Sequence, residues 1–174
     1  MNELQSKYPA EIQQILAKYP PDRRASAVMP LLYLAQRQSG YVERQSVQEI
    51  AEIIGLSTTD IDALVGFYTL FHDQPAGRYR LQVCTDLPCA LRGAEDFLHS
   101  LCANQGIKVG ETTPDGLFTI EEVTCLAGCH HAPLFQLQGD GDISYHEEQT
   151  VETATALVNE LRRRAAEKEV GNGG

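Results

Sequence analysis

Over residues 1–74 the apolar positions recur with the period of a helix and nowhere alternate. Pro9 can open a first helix in which Ile12, Ile15, Leu16 and Tyr19 fall at i, i+3, i+4 and i+7, and Pro20-Pro21 stops it. A second is predicted from about residue 24 to 39, with Leu31, Leu34 and Ala35 inward and Gly40 suited to its C-cap. Pro30 lies inside that run and is expected to kink or divide it. Ser46-x-x-Glu49 and Ser57-x-x-Asp60 have the form of capping boxes opening two further short helices, with Gly55 between them. Four short helices with tight links make a small bundle over residues 1–74.

After Gln74-Pro75-Ala76-Gly77 the period changes to two. Tyr79, Leu81 and Val83 alternate with Arg78, Arg80 and Gln82, a strand that ends at Cys84. Residues 90–105 return to a helical pattern, with Leu91, Ala94, Leu98, Leu101 and Cys102 on one stripe. The turn TPDG at 113–116 leads into a second strand, 117–124, that runs into Cys125. Residues 133–138 and 143–146, around GDGD at 139–142, read as a hairpin. A last helix points Val151, Ala154, Val158, Leu161 and Ala165 inward, and the tail EVGNGG is expected to be loose. The order βα, β, ββα is the layout of a thioredoxin-like domain. The expected fold class is therefore α+β: a small N-terminal helical bundle over 1–74 and a thioredoxin-like α/β domain over 75–168. Residues 169–174 are expected to form a flexible tail.

Charge and composition narrow the function classes. The 174 residues carry a net charge of −10, which argues against nucleic acid or an anionic membrane as partner. No stretch approaches the ~18 consecutive apolar residues of a membrane span. MNELQSKYPAEIQ has neither a signal peptide's apolar core nor a transit peptide's arginines, so a cytoplasmic, bacterial setting is expected. A chain of this size buries roughly 70% of its extended surface, so it does not need a metal in order to fold. In a reducing compartment its five cysteines point to metal binding or catalysis before structural disulfides.

Cys84 and Cys89 are separated by four residues and Cys125 and Cys129 by three, with 35 residues between the two pairs. Both pairs follow predicted strands. If those strands are parallel, four thiolates converge at one end of a sheet, which suits a [2Fe–2S] cluster. Loop N–H groups and the N-terminus of the 90–105 helix would then donate to the sulfurs. Four thiolates suit structural zinc as well, and a zinc-stabilised adaptor is the second reading; zinc knuckles usually use the shorter C-x-x-C, so the spacing favours the cluster. A dithiol oxidoreductase needs C-x-x-C, which neither pair has. A Rieske centre would recruit His130 and His131, but four cysteines already complete the set, and both histidines are expected to face solvent or lie behind the ligands. Cys102 reads as a buried apolar thiol. Glu121-Glu122 and Glu147-Glu148 read as solvated faces. No phosphate-cradling glycine loop is present, so nothing suggests that this chain binds a nucleotide itself.

"RYRLQVCTDLPCALRGAEDF" and "TPDGLFTIEEVTCLAGCHHAP", with "FYTLF" upstream, resemble the thioredoxin-like [2Fe–2S] subunit of NADH:quinone oxidoreductase, respiratory complex I. The similarity runs from about Tyr19 to Leu161. It implies cluster ligation by Cys84, Cys89, Cys125 and Cys129 and a one-electron role with no catalysis by the chain alone. It also implies a heterodimer with a subunit carrying FMN and the NADH site, against which the helical half packs. Further peripheral-arm subunits would hold the pair at the cytoplasmic face of the inner membrane. Related chains serve NAD-linked formate dehydrogenases and hydrogenases, the alternative holoenzymes. One departure stands out: where the family usually has glycine two residues after the first cysteine of the second motif, Ala127 stands, and Gly128 follows. A positive φ at that position would strain alanine.

Overall fold

The computed structural model describes residues 3–171, with side chains as far as Lys168. The chain divides into two compact units, Met1–Pro75 and Ala76–Gly174, each with its own apolar core.

The first unit contains helices α1 (Glu3–Lys7), α2 (Pro9–Leu16), α3 (Val28–Ser39), α4 (Arg44–Ile54) and α5 (Thr58–Phe67), plus a 3-10 turn over Pro21–Ala27. Its core gathers Leu4, Ile12, Leu31, Leu32, Ile50 and Ile61, all essentially without solvent contact. Pro9 starts α2, and Gly40 closes α3 in the left-handed conformation with its N–H on the Gln36 carbonyl. Two expectations change. The predicted 24–39 helix is divided, but at Val28 and not at Pro30. Pro30 is the third residue of α3, in the first turn, where its missing N–H breaks no helical bond. Nor does Ser46-x-x-Glu49 open a helix. The chain is already helical from Arg44, and both residues are buried inside α4. Glu49 instead accepts the N–H groups of Glu3 (2.8 Å) and Leu4 (2.7 Å), capping α1, a helix the sequence pattern does not reveal. Ser57 does cap α5, accepting the Asp60 N–H at 3.1 Å.

The second unit is a four-stranded mixed sheet in the order β2-β1-β3-β4, the α+β, thioredoxin-like arrangement expected. β1 (Tyr79–Cys84) runs parallel to β2 (Phe118–Val123) and antiparallel to β3 (Phe135–Gly139), which pairs antiparallel with β4 (Asp142–His146). Tyr79, Leu81, Val83, Phe118, Ile120 and Phe135 share a core with α7 (Ala94–Gln105) and α8 (Val151–Gly171). On the alternate positions Gln82, Glu121, Gln136 and Gln138 are linked by side-chain hydrogen bonds across the strands. The hairpin turn narrows to Asp140-Gly141, both left-handed (φ 52° and 83°), which matches the twist of the flanking strands. Two helical details differ from the pattern. A separate short helix α6 (Leu87–Ala90) precedes α7, and Leu91, between them, is 80% exposed while Phe97 takes the inward place. α8 continues to Gly171, into the span expected to be a loose tail; residues 172–174 lie outside the described residues.

Candidate metal centre

The sheet register decides where the cysteines go. Cys84, the last residue of β1, lies opposite Val123, the last of β2, so both chains leave the sheet at the same end. Cys125 follows two residues later. β3 enters at that end too, with Phe135 opposite Val83, which brings the 3-10 turn Cys129–His131 alongside. The first pair is not held in an open loop: Cys89 sits in α6, whose N-cap Asp86 accepts the Leu87 N–H at 3.0 Å. The chain pulls back at Cys84, where its N–H donates to the Leu134 carbonyl at 3.3 Å. Arg92 ties the two loops together, its Nε donating to the Ala132 carbonyl at 3.2 Å.

All five cysteines are free thiols. Cys84 and Cys89 are buried with Ala94, Ala132 and Leu134, Cys129 is half-buried against them, and Cys125 is exposed. Burial first, then hydrogen bonds and charge interaction with Cys84 and with Cys129, push the Cys89 thiol up to about 12. Cys129 packs against Cys84 and Cys89, so the first pair meets one member of the second, and a cation bound there would displace thiol protons. At the exposed end the Ala127 N–H points at the Cys125 Sγ, 3.4 Å away, a donor aimed at sulfur. Among the described residues no three His, Cys, Asp or Glu side chains meet closely enough to hold a single ion. A two-iron cluster asks two sulfurs of each iron and not four at one point. Soft donors in two pairs at one sheet end fit that group in kind and in number.

Ala127 has φ 61°, the left-handed backbone that its position raised as a question. Gly128 has an ordinary negative φ, but a Cβ there would stand 2.5 Å from Leu134 Cδ1. The glycine of this loop therefore serves a close approach, not a left-handed turn. The helix expected over 90–105 begins as α7 at Ala94, and that first residue packs with Cys84 and Cys89. Cys102 lies in the core away from the two pairs, and burial, then Glu111, raises its thiol pKa. His130 is exposed, its ring 4.0 Å from that of His131. His131 Nδ1 is 3.1 Å from Glu148 Oε1, so the Glu147-Glu148 pair is not merely a solvated face. That pairing and the Arg92 tie were not visible in the sequence, since neither residue belongs to a spacing motif.

Residues 12–162 match the family described as thioredoxin-like [2Fe-2S] ferredoxin. The chain belongs to that family, and its cofactor is a [2Fe–2S] cluster. It is 40% identical to NADH-quinone oxidoreductase subunit 2 of Thermus thermophilus, over 87% of this chain and 82% of the relative. It is 42% identical to an NADH-quinone oxidoreductase subunit of Rhizobium meliloti, over 91% of this chain and 89% of the relative. Among solved structures, an NAD+-reducing [NiFe]-hydrogenase in the air-oxidized state shares the fold with a TM-score of 0.63 at 20% identity. That match covers 77% of this chain and 23% of the hydrogenase chain, so the chain spans about a quarter of the larger protein's length. Among the described residues no helix is long and apolar enough to cross a membrane.

Proposed function

We propose that Cys84, Cys89, Cys125 and Cys129 hold the cluster and that the chain is the electron-transfer subunit of an NADH:quinone oxidoreductase. The observation that carries the ligand assignment is the packing of Cys129 against the buried Cys84 and Cys89 at the sheet end where Cys125 also emerges. When bound, the cluster supplies one-electron exchange at iron, half of what a hydride delivers. The chain's own residues fix the sulfurs, bury Cys84 and Cys89 from water and aim the Ala127 N–H at Cys125. No nucleotide-cradling glycine loop is present, so reducing equivalents arrive from another polypeptide, a subunit carrying FMN and the NADH site. The names of the relatives support a multisubunit oxidoreductase. Exposed apolar side chains in both units suit a heterodimer: Leu87 and Leu91 beside Cys89, and Phe67, Tyr68 and Leu70 on the helical unit. The pair would lie at the cytoplasmic face of a bacterial inner membrane. A hydrogenase or formate dehydrogenase would use the chain in the same role.

The test is purification of the chain alone and with the flavin subunit. Alone it should carry two irons and two labile sulfides, give a reduced-cluster EPR signal and leave NADH unoxidised. With the flavin subunit it should form a stoichiometric pair. Serine at any of the four positions should abolish or strongly alter the EPR signal, since a hard oxygen replaces a soft sulfur. Stoichiometric zinc without iron, or steady NADH oxidation by the single chain, would overturn the reading.

A further inference from the structure

The second cysteine turn is fastened to the start of the last helical segment by one residue used twice. Glu148 donates its backbone N–H to the His131 carbonyl at 2.7 Å, and its Oε1 lies 3.1 Å from His131 Nδ1. A carboxylate in its ionised form only accepts, so a hydrogen bond to it requires the proton on Nδ1. The next residue adds a bond, Gln149 N–H to the Pro133 carbonyl at 2.8 Å. From the other side, the His131 N–H closes the turn on the Gly128 carbonyl at 2.9 Å. Glu148 makes these contacts from a left-handed backbone, φ 52°. Glutamate is seldom found there, and outside a tight hairpin such an outlier persists only where its surroundings hold it. Asp140, which shares the conformation, sits in a two-residue hairpin turn, whereas Glu148 is held by its contacts to His131.

We infer that Glu148 is a positioning residue for the cluster, holding His131 and, through the Cys129–His131 turn, the sulfur of Cys129. This rests on the assignment of Cys129 as a ligand. His131 and Cys129 share one 3-10 turn, so a shift of the imidazole that pivots the turn moves the Sγ as well. Partners behind a metal ligand commonly govern affinity and electronic structure in this way.

The experiment uses the full chain with its cluster, in Glu148→Ala, Glu148→Gln, His131→Ala and Cys129→Ser variants. EPR of the reduced cluster and the half-life of the cluster toward an iron chelator are read for each. Glu148→Ala and His131→Ala should shift the EPR g-values alike and shorten the half-life roughly tenfold. The double variant should be no worse than His131→Ala alone, which already removes the Nδ1–Oε1 bond together with the approach of His131 Nε2 to Glu147 Oε2 at 4.0 Å. Glu148→Gln keeps an acceptor oxygen and should stay close to the unaltered protein. Where Glu148→Ala fails to fold, His131→Ala decides, since it leaves the backbone at 148 untouched. Unaltered g-values and half-life in Glu148→Ala and His131→Ala would overturn the positioning role. Failure of the ligand assignment looks different: the Cys129→Ser spectrum would then itself be unaltered.

Discussion

Gly128 and Leu134 approach so closely that a methyl group on Gly128 would lie 2.5 Å from Leu134 Cδ1. Leu134 is 1% exposed and packs with Cys84, Cys89, Ala94 and Ala132, so its tip has little room to swing away. The residue before Gly128, Ala127, carries the left-handed backbone that a glycine would accept more readily. Glycine is therefore the better residue at both positions, for two different reasons. Ala127→Gly should raise stability by about 1 kcal/mol, the scale on which a positive φ penalises alanine. Gly128→Ala should lower it by about 1–3 kcal/mol through overpacking beside two proposed ligands. Thermal melts of both variants check the pair; a loss at 127 or a gain at 128 contradicts the loop geometry.

The same loop shows where sequence reasoning works and where it stops. The sheet and the two cysteine pairs are legible because strand alternation and paired thiols are local patterns, and the Tyr79–Cys84 strand ends at Cys84 as its alternation predicts. Ala127 can be singled out by its place in a motif, but only backbone coordinates reveal its φ. The Glu49 cap of α1 and the Glu148 latch join residues 45 and 17 positions apart, which no period of 2 or 3.6 records. Leu91 falls off the predicted stripe because a second short helix, Leu87–Ala90, breaks its phase before α7 begins.

Cys102 separates cluster chemistry from packing. It is 3% exposed in the core of the sheet unit, remote from both pairs. Cys102→Ser places a hydroxyl in apolar surroundings and should cost about 1–3 kcal/mol if it stays unbonded. The reduced EPR spectrum should not change. An altered spectrum in a folded Cys102→Ser variant would contradict the four-ligand set.

Glu49 should matter to the helical unit alone. It is 7% exposed. Burial pushes its carboxyl up, but hydrogen bonds from Leu4, Gln45 and Glu3 outweigh this and hold it below the usual range. Glu49→Ala leaves the Glu3 and Leu4 N–H groups without this acceptor and should cost about 1–3 kcal/mol. The helical unit has its own core, so melting should shift while the cluster's EPR signal stays as it was. Calorimetry and EPR on the same sample check both halves of the expectation.

Asp140 gives a pH dependence of known sign. Hydrogen bonds from Arg78 (Nε, 2.7 Å) and Lys168 (Nζ, 2.9 Å) hold its carboxyl well below the ordinary range against a smaller upward push from burial. Folding lowers this pKa, so the contribution is fully present above the unfolded-chain value of about 3.9 and drains away as pH falls towards the folded value. The side chain is 36% exposed, and solvent screening keeps the effect modest. Asp140→Asn retains a residue that tolerates the left-handed turn but removes the charge. Melting temperatures of the two proteins should differ near neutrality and converge on acidification below pH ~4. A constant gap across that range would show that the ion pairs add nothing.

The last prediction concerns the apolar surface beside the proposed cluster ligands. Leu87 and Leu91 are 70% and 80% exposed and flank Cys89 on either side, while Cys89 itself is buried. Large apolar side chains in water cost the free chain solubility, so their presence on the turn that carries a ligand suits a surface that a partner covers. In the proposed heterodimer that partner carries the flavin. An aspartate at either position leaves the buried thiols alone but would have to be desolvated in the complex. Leu87→Asp and Leu91→Asp should keep cluster content and EPR line shape while weakening binding to the flavin subunit at least about tenfold, or ~1.4 kcal/mol. Binding measured by calorimetry at two salt concentrations checks this, because a buried apolar contact responds little to ionic strength. Unchanged affinity in both variants would move the interface away from α6.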